Sequence, residues 1–246
     1  MRPSRLLLCC AVFAALTAPP VALADFARGK QAYDSANYKL ALTELNAEVK
    51  RGSLPAMHLL GMMYAEGKGL ARDDKRALAL FEKAAAGDHA GAQGMVAMFH
   101  AQGRATERND AKSVEWARKA AENGDALSQY MMGLRSMEGW GVNRSIREAM
   151  LWFGSAAEQN YALAQYSLGL LIGFNQVAGA DVIGAREYRI EAAKWLILAI
   201  KQKSAELPDA GQKLVELKKK MLEDEIREAE ERARKWRPPV AKKAGP

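Results

Sequence analysis

The residues that most readily bind metals or act as nucleophiles are scarce in this sequence. It has two cysteines and three histidines among its 246 residues. Cys9 and Cys10 are adjacent and near the start, so they cannot form a disulfide framework or a thiolate metal centre in the folded body. The histidines are well separated, and no Gly-x-Ser-x-Gly, Ser-x2-Lys, His-Glu-x2-His or phosphate-loop motif occurs. We therefore expect no enzyme activity, no cofactor and no metal.

The composition favours a helical chain whose function lies in its surface. The sequence is 49% hydrophobic and 26% charged, with a net charge of +7. It is too apolar to be disordered, and its alanine, leucine, lysine and glutamate content predicts helices rather than a sheet. The local basic run Lys218-Lys219-Lys220 is followed at once by Glu223-Asp224-Glu225, which is typical of a solvated helix face. We expect no nucleic-acid partner.

The first 24 residues have the pattern of a cleaved signal peptide. Two arginines precede an apolar run over residues 6–16, and Ala22-Leu23-Ala24 supplies the small-x-small cleavage pattern. We expect cleavage before Asp25 and a periplasmic or secreted mature protein. The run is shorter than the ~20 residues that a spanning helix needs, so no integral membrane segment is expected after cleavage. Leu7-Leu8-Cys9 only faintly resembles a lipobox, because the small residues expected before the cysteine are missing.

The most informative pattern is a repeat with a step of 36 residues. Pairs of a large apolar and a small residue recur at that step, and glycines in turns and alanine pairs keep the same register. The recurring pairs are Leu60-Gly61, Val96-Ala97, Met132-Gly133 and Leu168-Gly169. The turn glycines are Gly67, Gly103 and Gly139. A register that is kept over at least three copies predicts a repeat architecture.

Each unit is predicted to be a hairpin of two helices, which we call helix A and helix B. Helix A is expected at about 54–66, 90–102, 126–138 and 162–173, and helix B at about 73–86, 109–122, 145–158 and 190–203. Suitable N-cap residues of helix B are Asp73, Asn109 and Ser145. The small residue of each pair, such as Gly61, would let helix A approach helix B closely. The large residues expected between successive hairpins are Leu80, Trp116, Trp152 and Trp195.

Less regular segments flank the repeats. The predicted divisions are a tetratricopeptide-like N-terminal capping hairpin at 25–52, repeats at 53–89, 90–125, 126–161 and 162–205, C-terminal capping helices at 206–237, and a disordered tail at 238–246. Trp195 lies 43 residues beyond Trp152, so the fourth repeat has gained residues between its helices. We expect this loop insertion near residues 175–187.

These residues resemble the Sel-1-like repeat, a relative of the tetratricopeptide repeat. The pattern that carries the resemblance is Ala56-x3-Leu60-Gly61-x2-Tyr64-x2-Gly67-x-Gly69-Leu70-x2-Asp73-x3-Ala77-x6-Ala84-Ala85. The resemblance covers residues 53 to about 205, although His100 and Ser136 replace the helix-A tyrosine and Ala97 replaces the glycine. It implies a right-handed α-solenoid that acts as a scaffold or adaptor, as exported bacterial relatives do when they bind other envelope proteins.

If the geometry is tetratricopeptide-like, the concave surface is lined by helix-A residues one turn away from the buried stripe. The candidate binding residues are His58, Met62, Met98, Tyr130, Leu134, Met137, Tyr166 and Leu170. A groove rich in methionine and tyrosine suits an extended segment or an amphipathic helix of a partner protein. The alternative is that these residues simply belong to the core.

The expected function is that of an exported interaction scaffold that binds a peptide or an envelope protein in its concave groove. One alternative is a cell-wall-ligand-binding protein or a β-lactamase-like envelope enzyme. That analogy is with a cysteine-rich subgroup of the family, whose cysteines this chain lacks. A second alternative is a structural subunit of a secretion or motility complex.

Overall fold

The computed structural model describes residues 21–174 and 182–239, and in those ranges it contains twelve α-helices and no strand. The helices are α1 (Val21–Asp34), α2 (Tyr38–Lys50), α3 (Leu54–Glu66), α4 (Asp74–Ala86), α5 (Ala90–Gln102), α6 (Asp110–Glu122), α7 (Ala126–Glu138), α8 (Ile146–Glu158), α9 (Ala162–Phe174), α10 (Val182–Lys201), α11 (Ala210–Lys218) and α12 (Glu223–Lys235). The predicted all-α repeat solenoid is confirmed.

The helices are arranged as a linear array of hairpins. Helices α3 and α4 pair, as do α5 and α6, α7 and α8, and α9 and α10, and we call these the first to fourth repeats. The B helix of each repeat also packs against the A helix of the next repeat. At the C-terminal end α10 packs against both α11 and α12. Because each hairpin contacts mainly its neighbours, the A helices stand side by side along the molecule.

Local capping explains where the repeat helices begin and end. The predicted N-caps Asp73, Asn109 and Ser145 each accept a hydrogen bond from the backbone N–H three residues on, which satisfies one of the free donors of the helix. The A helices of the first three repeats end at glycines in the left-handed region, namely Gly67 (φ 71°), Gly103 (φ 65°) and Gly139 (φ 82°). These elements of the sequence prediction are confirmed.

In the first and third repeats the interior of the hairpin is filled by a phenylalanine that the sequence analysis passed over. Gly61 faces the Phe81 ring, and a Cβ atom at Gly61 would lie 2.6 Å from Phe81 Cε1. Gly133 and Phe153 are related in the same way, with 2.5 Å to Phe153 Cδ1. Both phenylalanines are fully buried. The missing Cβ therefore makes room for an aromatic ring on the facing helix.

The second repeat solves the same packing problem with different residues. Ala97 stands where the other repeats have glycine, and Ala117 stands where the first and third repeats have phenylalanine and the fourth has Leu196. The two alanines are buried in one cluster. The partly buried Trp116 and Trp152, one position earlier on helix B, pack against the preceding repeat, as the sequence predicted. The sizes of the paired residues thus change together from repeat to repeat.

The fourth repeat differs from the prediction. Helix α10 begins at Val182 rather than near residue 190, so the predicted insertion at 175–187 is helical from residue 182 onward. Residues 175–181 of that insertion lie outside the described residues. The longer helix gives α10 a face for α12, since Arg186 and Glu187 in its extra turns contact residues of α12. The capping segment itself forms two helices, α11 and α12.

The ends of the chain are described only in part. Residues 1–20 of the predicted signal peptide and residues 240–246 of the predicted tail lie outside the described residues. Helix α1 begins at Val21, before the predicted cleavage position at Asp25. None of the helices in the described ranges is both long enough and apolar enough to cross a membrane.

Candidate interaction surface

The predicted groove residues all lie on A helices, and the structure leaves every one of them half-buried. They are His58 and Met62 on α3, Met98 on α5, Tyr130, Leu134 and Met137 on α7, and Tyr166 and Leu170 on α9. Each packs on one flank against a core cluster or a core ring and keeps part of its surface accessible. We call this side of helices α3, α5, α7 and α9 the A surface.

One row of the A surface links neighbouring A helices directly. The ring of His58 lies 4.8 Å from that of His89, and the ring of Tyr130 lies 5.4 Å from that of Tyr161, measured between centroids. In both pairs the second residue immediately precedes the next A helix. At the end of the row the Tyr166 hydroxyl donates a hydrogen bond of 2.8 Å to Asp209, the residue before α11. The row therefore connects the first repeat to the second, and the third repeat through the fourth to α11.

The second repeat interrupts this row with a glycine. A Cβ atom at Gly94 would meet Ser128 Oγ at 2.8 Å and Asp125 Oδ2 at 3.3 Å. Asp125 caps α7 by accepting a hydrogen bond from the Ser128 N–H. Close approach of α5 to this cap leaves no space for a side chain. The A surface therefore has no projecting side chain at this point of the row.

The titratable members of the row are held in their neutral forms. Burial and, to a smaller extent, the neighbouring His89 together lower the pKa of His58 to about 4. Burial also lowers the pKa of His89, whose Nδ1 accepts a 3.1 Å hydrogen bond from the Ala92 N–H and caps α5. Burial and the hydrogen bond to Asp209 raise the pKa of Tyr166 to about 12. At neutral pH the histidine and tyrosine side chains of this row are thus uncharged.

The sequence analysis missed a second row one position along the same helices. Leu59 and Met95 are half-buried, and Met131 is 40% exposed. Leu127, one turn earlier on α7, is 50% exposed. The 36-residue step from Leu59 leads to Met95 and Met131, so the repeat itself contained the signal. Together the two rows form an apolar strip that is most open on α7.

The turns after the A helices differ between repeats at the residue that follows the glycine. Lys68 of the first repeat donates a 2.9 Å hydrogen bond to the Tyr33 hydroxyl, and Arg104 of the second repeat donates to Asp74. Both side chains thus reach back to the preceding hairpin. In the third repeat the equivalent residue is Trp140, which is 61% exposed.

A cavity of about 290 Å³ opens beside Trp140. It is lined by Met131, Leu134, Arg135, Trp140 and Gly141 of the third repeat and by Ala101, Arg108 and Asp110 of the second. We call it the Trp140 pocket. Because Met131 and Leu134 also belong to the A surface, the pocket extends that surface toward the turn. The described residues contain no group of three histidine, cysteine, aspartate or glutamate side chains suited to hold a metal ion.

Comparison with known proteins agrees with this architecture. Residues 54–89, 90–125 and 126–161 each match the Sel1 repeat. The fold is similar to the crystal structure of a Sel1 repeat protein from Oxalobacter formigenes, with 24% identity, a TM-score of 0.66, and coverage of 84% of this chain and 82% of that one. No curated protein matches the sequence.

A second solved structure is also similar in fold. It is c5321, described as a protective antigen present in uropathogenic Escherichia coli strains and displaying an SLR fold. The identity is 21% and the TM-score 0.56, over 85% of this chain and 52% of c5321. This chain therefore spans about half the length of c5321. At these identities the two similarities concern the fold alone.

Proposed function

Because this chain is a Sel1 repeat protein, and such proteins generally act as scaffolds for protein interactions, we propose that it is an exported scaffold that holds a partner protein along its A surface. The observation that carries the proposal is the apolar strip of half-buried and exposed residues on α3, α5 and α7. Methionines and leucines supply its area, and tyrosines supply polar edges. Methionine side chains adapt to different partner shapes at little cost, which suits a docking surface.

The proposed partner is an extended segment or an amphipathic helix of an envelope protein. A strip that crosses successive helices offers anchors at regular intervals, as peptide-binding grooves do. The neutral state of the histidine and tyrosine row favours apolar contacts over ion pairs in this part of the surface. The signal-peptide pattern of residues 1–24 supports export and the periplasm as the place of encounter.

The test is crosslinking in the envelope of the native host, followed by identification of the captured protein. Met98→Glu and Met131→Glu place a charge on the strip and should abolish capture, because a charge opposite an apolar partner is not solvated in the complex. Tyr130→Glu should do the same, but its ring contacts Phe153 and Tyr161, so it also perturbs packing.

The matched control is Leu151→Glu. Leu151 is 65% exposed on α8 and so offers an equally accessible apolar residue on a B helix. We expect Leu151→Glu to capture the partner as the wild type does, with helical content unchanged in every variant. Capture that survives both methionine substitutions in folded protein would exclude the A surface. Hydrolysis of a β-lactam reporter by purified protein would instead support the enzyme alternative.

A further inference from the structure

Two successive repeats place a cation and an aromatic ring in exchanged positions. In the second repeat Phe99 is buried on α5, and Arg104 in the following turn stacks over it at 4.4 Å from the ring centroid. In the third repeat the residue equivalent to Phe99 is Arg135, and the residue equivalent to Arg104 is Trp140. Because of the exchange, the charge of Arg135 lies in the interface between the second and third repeats (we call such an interface a seam), and the ring of Trp140 lies outside it.

The exchange leaves the seam between the second and third repeats open. Between the first and second repeats Arg104 closes the seam, since its guanidinium donates to Asp74 and to the Ala65 carbonyl at 3.2 Å. Trp140 makes no such bond in the described structure and stands 61% exposed. The Trp140 pocket lies where the arginine would otherwise sit.

Arg135 forms no ion pair within the described residues. Arg108, and to a smaller extent Arg135, lower the pKa of Asp110, which lines the same pocket. Asp110, the nearest acid of the pocket, has both oxygens on Arg108, at 3.0 and 3.1 Å. Arg135 donates to the Ser113 hydroxyl at 3.1 Å, and its Nε is buried with no hydrogen-bond partner. Among the described residues no carboxylate lies within ion-pair distance of Arg135. A half-buried guanidinium between Met131, Leu134 and Trp140 is complementary to an anion with an apolar neighbour.

We propose that the Trp140 pocket binds an acidic side chain of the partner segment, with an adjacent large apolar side chain packed between Trp140 and Met131. The acid pairs with Arg135, and the apolar side chain covers the exposed indole. An internal segment is the occupant, rather than a chain end, because the apolar strip continues past the pocket along α7 to Leu127 and across α5 to Met95. This inference rests on the proposed function and names the chemistry of the partner.

The test is a selection of random short peptides, displayed within a loop so that neither end is free, on the purified protein. The selection is made on the wild type alone, so that dependence on the indole of Trp140 is a result of the experiment and not a condition of it. We expect the enriched peptides to carry glutamate or aspartate next to a large apolar residue. Synthetic copies should lose about tenfold or more in affinity for Trp140→Ala and for Arg135→Gln, as central interface residues commonly do. Their affinity should also fall as sodium chloride is raised.

Matched controls separate a local effect from unfolding. Leu151→Ala removes an exposed apolar side chain of α8, and Arg147→Gln removes an exposed guanidinium from the same helix; both should bind as the wild type does. Arg135→Lys keeps the charge and should bind more tightly than Arg135→Gln. Thermal unfolding of each variant, followed by circular dichroism, establishes that the compared proteins are folded.

Different failures have different meanings. Enriched peptides that are neutral or basic, or peptides whose affinity is the same for the wild type, Trp140→Ala and Arg135→Gln, would overturn the pocket assignment. If the peptides do not bind Met98→Glu but still bind Trp140→Ala, the proposed function of the A surface is supported and the assignment of the Trp140 pocket is wrong. If no peptide is enriched and no partner is crosslinked, both proposals fall.

Discussion

The repeats and the contact of α12 with α10, which we call the C-terminal unit, hold their helices together by different physical means. In the first and third repeats the interface is a glycine against a buried phenylalanine ring, Gly61 with Phe81 and Gly133 with Phe153. In the C-terminal unit, α12 lies on α10 through the small residues Ala229 and Ala233, with a network of ion pairs around them. The repeats therefore rely on close packing, and the C-terminal unit relies largely on charge.

The charged network centres on one arginine. Arg232 on α12 contacts Glu187, Glu191 and Glu228, with 2.9 Å to Glu191. Beside it Arg189 donates to the buried Glu225 at 2.5 Å, and Arg186 bridges Asp224 and the same Glu228. Helix α12 is rich in charged residues and buries few large side chains, so apolar burial alone contributes little to its docking. From this comparison we expect that one solenoid combines an interface that salt hardly affects with one that salt weakens.

The largest expected effect is in the packed repeats. Phe153→Ala should lower the free energy of unfolding by about 3–5 kcal/mol, because it empties the space that the ring fills. Gly133→Ala should cost about 1–3 kcal/mol, because its Cβ meets that ring. The double variant reproduces the Ala97–Ala117 pair of the second repeat and should cost less than the two single changes together. Denaturant unfolding followed by circular dichroism measures this coupling; strict additivity would show that the glycine and the ring do not act as a pair.

A smaller effect is expected in the C-terminal unit. Arg232→Met leaves three carboxylates without their shared cation and should cost about 1–2 kcal/mol in low salt, more than an isolated surface pair contributes. In about 1 M sodium chloride the loss should shrink, because the Debye length falls to about 3 Å. Lys235→Met, which removes a single exposed pair with Glu231, is the control and should be nearly neutral. A salt-independent loss at Arg232 would mean that packing, rather than charge, holds α12.

Acidification should change the stability of the repeats and of the C-terminal unit in different pH ranges. The folded pKa of His58, about 4, lies below its ordinary value of 6.5, so its contribution to stability is present above pH 6.5 and is lost as the pH falls toward 4. Arginine neighbours lower the pKa of Glu225 and Glu228, so those contributions persist until the pH falls below their ordinary value of 4.5. Between pH 7 and pH 5 the contribution of His58 to the free energy of unfolding therefore changes, whereas the contributions of Glu225 and Glu228 are retained.

The measurement is unfolding of the wild type and of His58→Gln at pH 7 and pH 5. The wild type should lose about 1–2 kcal/mol more than the variant over this interval. His89, which also faces Asp125, titrates in both proteins, and because its ring lies 4.8 Å from that of His58 the difference between the two proteins includes the coupling of the two histidines. Equal losses in the two proteins would show that His58 is not held neutral by the fold.

The smallest expected effect is at the turn of the third repeat. Trp140→Ala should change the free energy of unfolding by no more than about 0.5 kcal/mol, as exposed substitutions usually do. Arg104→Ala at the equivalent position should cost about 1–2 kcal/mol, because it removes bonds to Asp74 and stacking on Phe99. Thermal unfolding of the pair checks this, and a large loss at Trp140 would show that the indole is part of the structural core.

Local signals predicted the helices of the repeats closely. The N-caps at Asp73, Asn109 and Ser145 and the glycine at Gly67 act within a few residues of the chain, so they can be recognised without the fold. The start of α10 was predicted wrongly, because the expected N-terminal boundary came from the repeat register and not from a cap. The repeat architecture followed from the 36-residue step, and the family followed from a resemblance carried by the residue pattern between Ala56 and Ala85.

The candidate site was predicted only in part. Met62, Met98 and Leu134 followed from the repeat register, and the structure leaves them on the accessible side of the A helices. Met131 was missed, because the prediction took one row of the helix face and stopped there. The division of roles between Trp152 and Phe153 was missed for a related reason. Adjacent residues point about 100° apart on a helix, and the rotation of the helix in its hairpin decides which one is enclosed.

The sequence by itself determined the elements and their order. Its repeat period, caps and small residues are local or periodic properties, and they specify helical hairpins stacked in a line. The tertiary structure alone decided that Arg135 faces the Trp140 pocket without forming an ion pair there, that Trp140 remains outside, and that Arg232 gathers three carboxylates from two helices. These arrangements depend on which side chains distant segments bring together, and distances across a seam between repeats cannot be obtained from spacing along the chain.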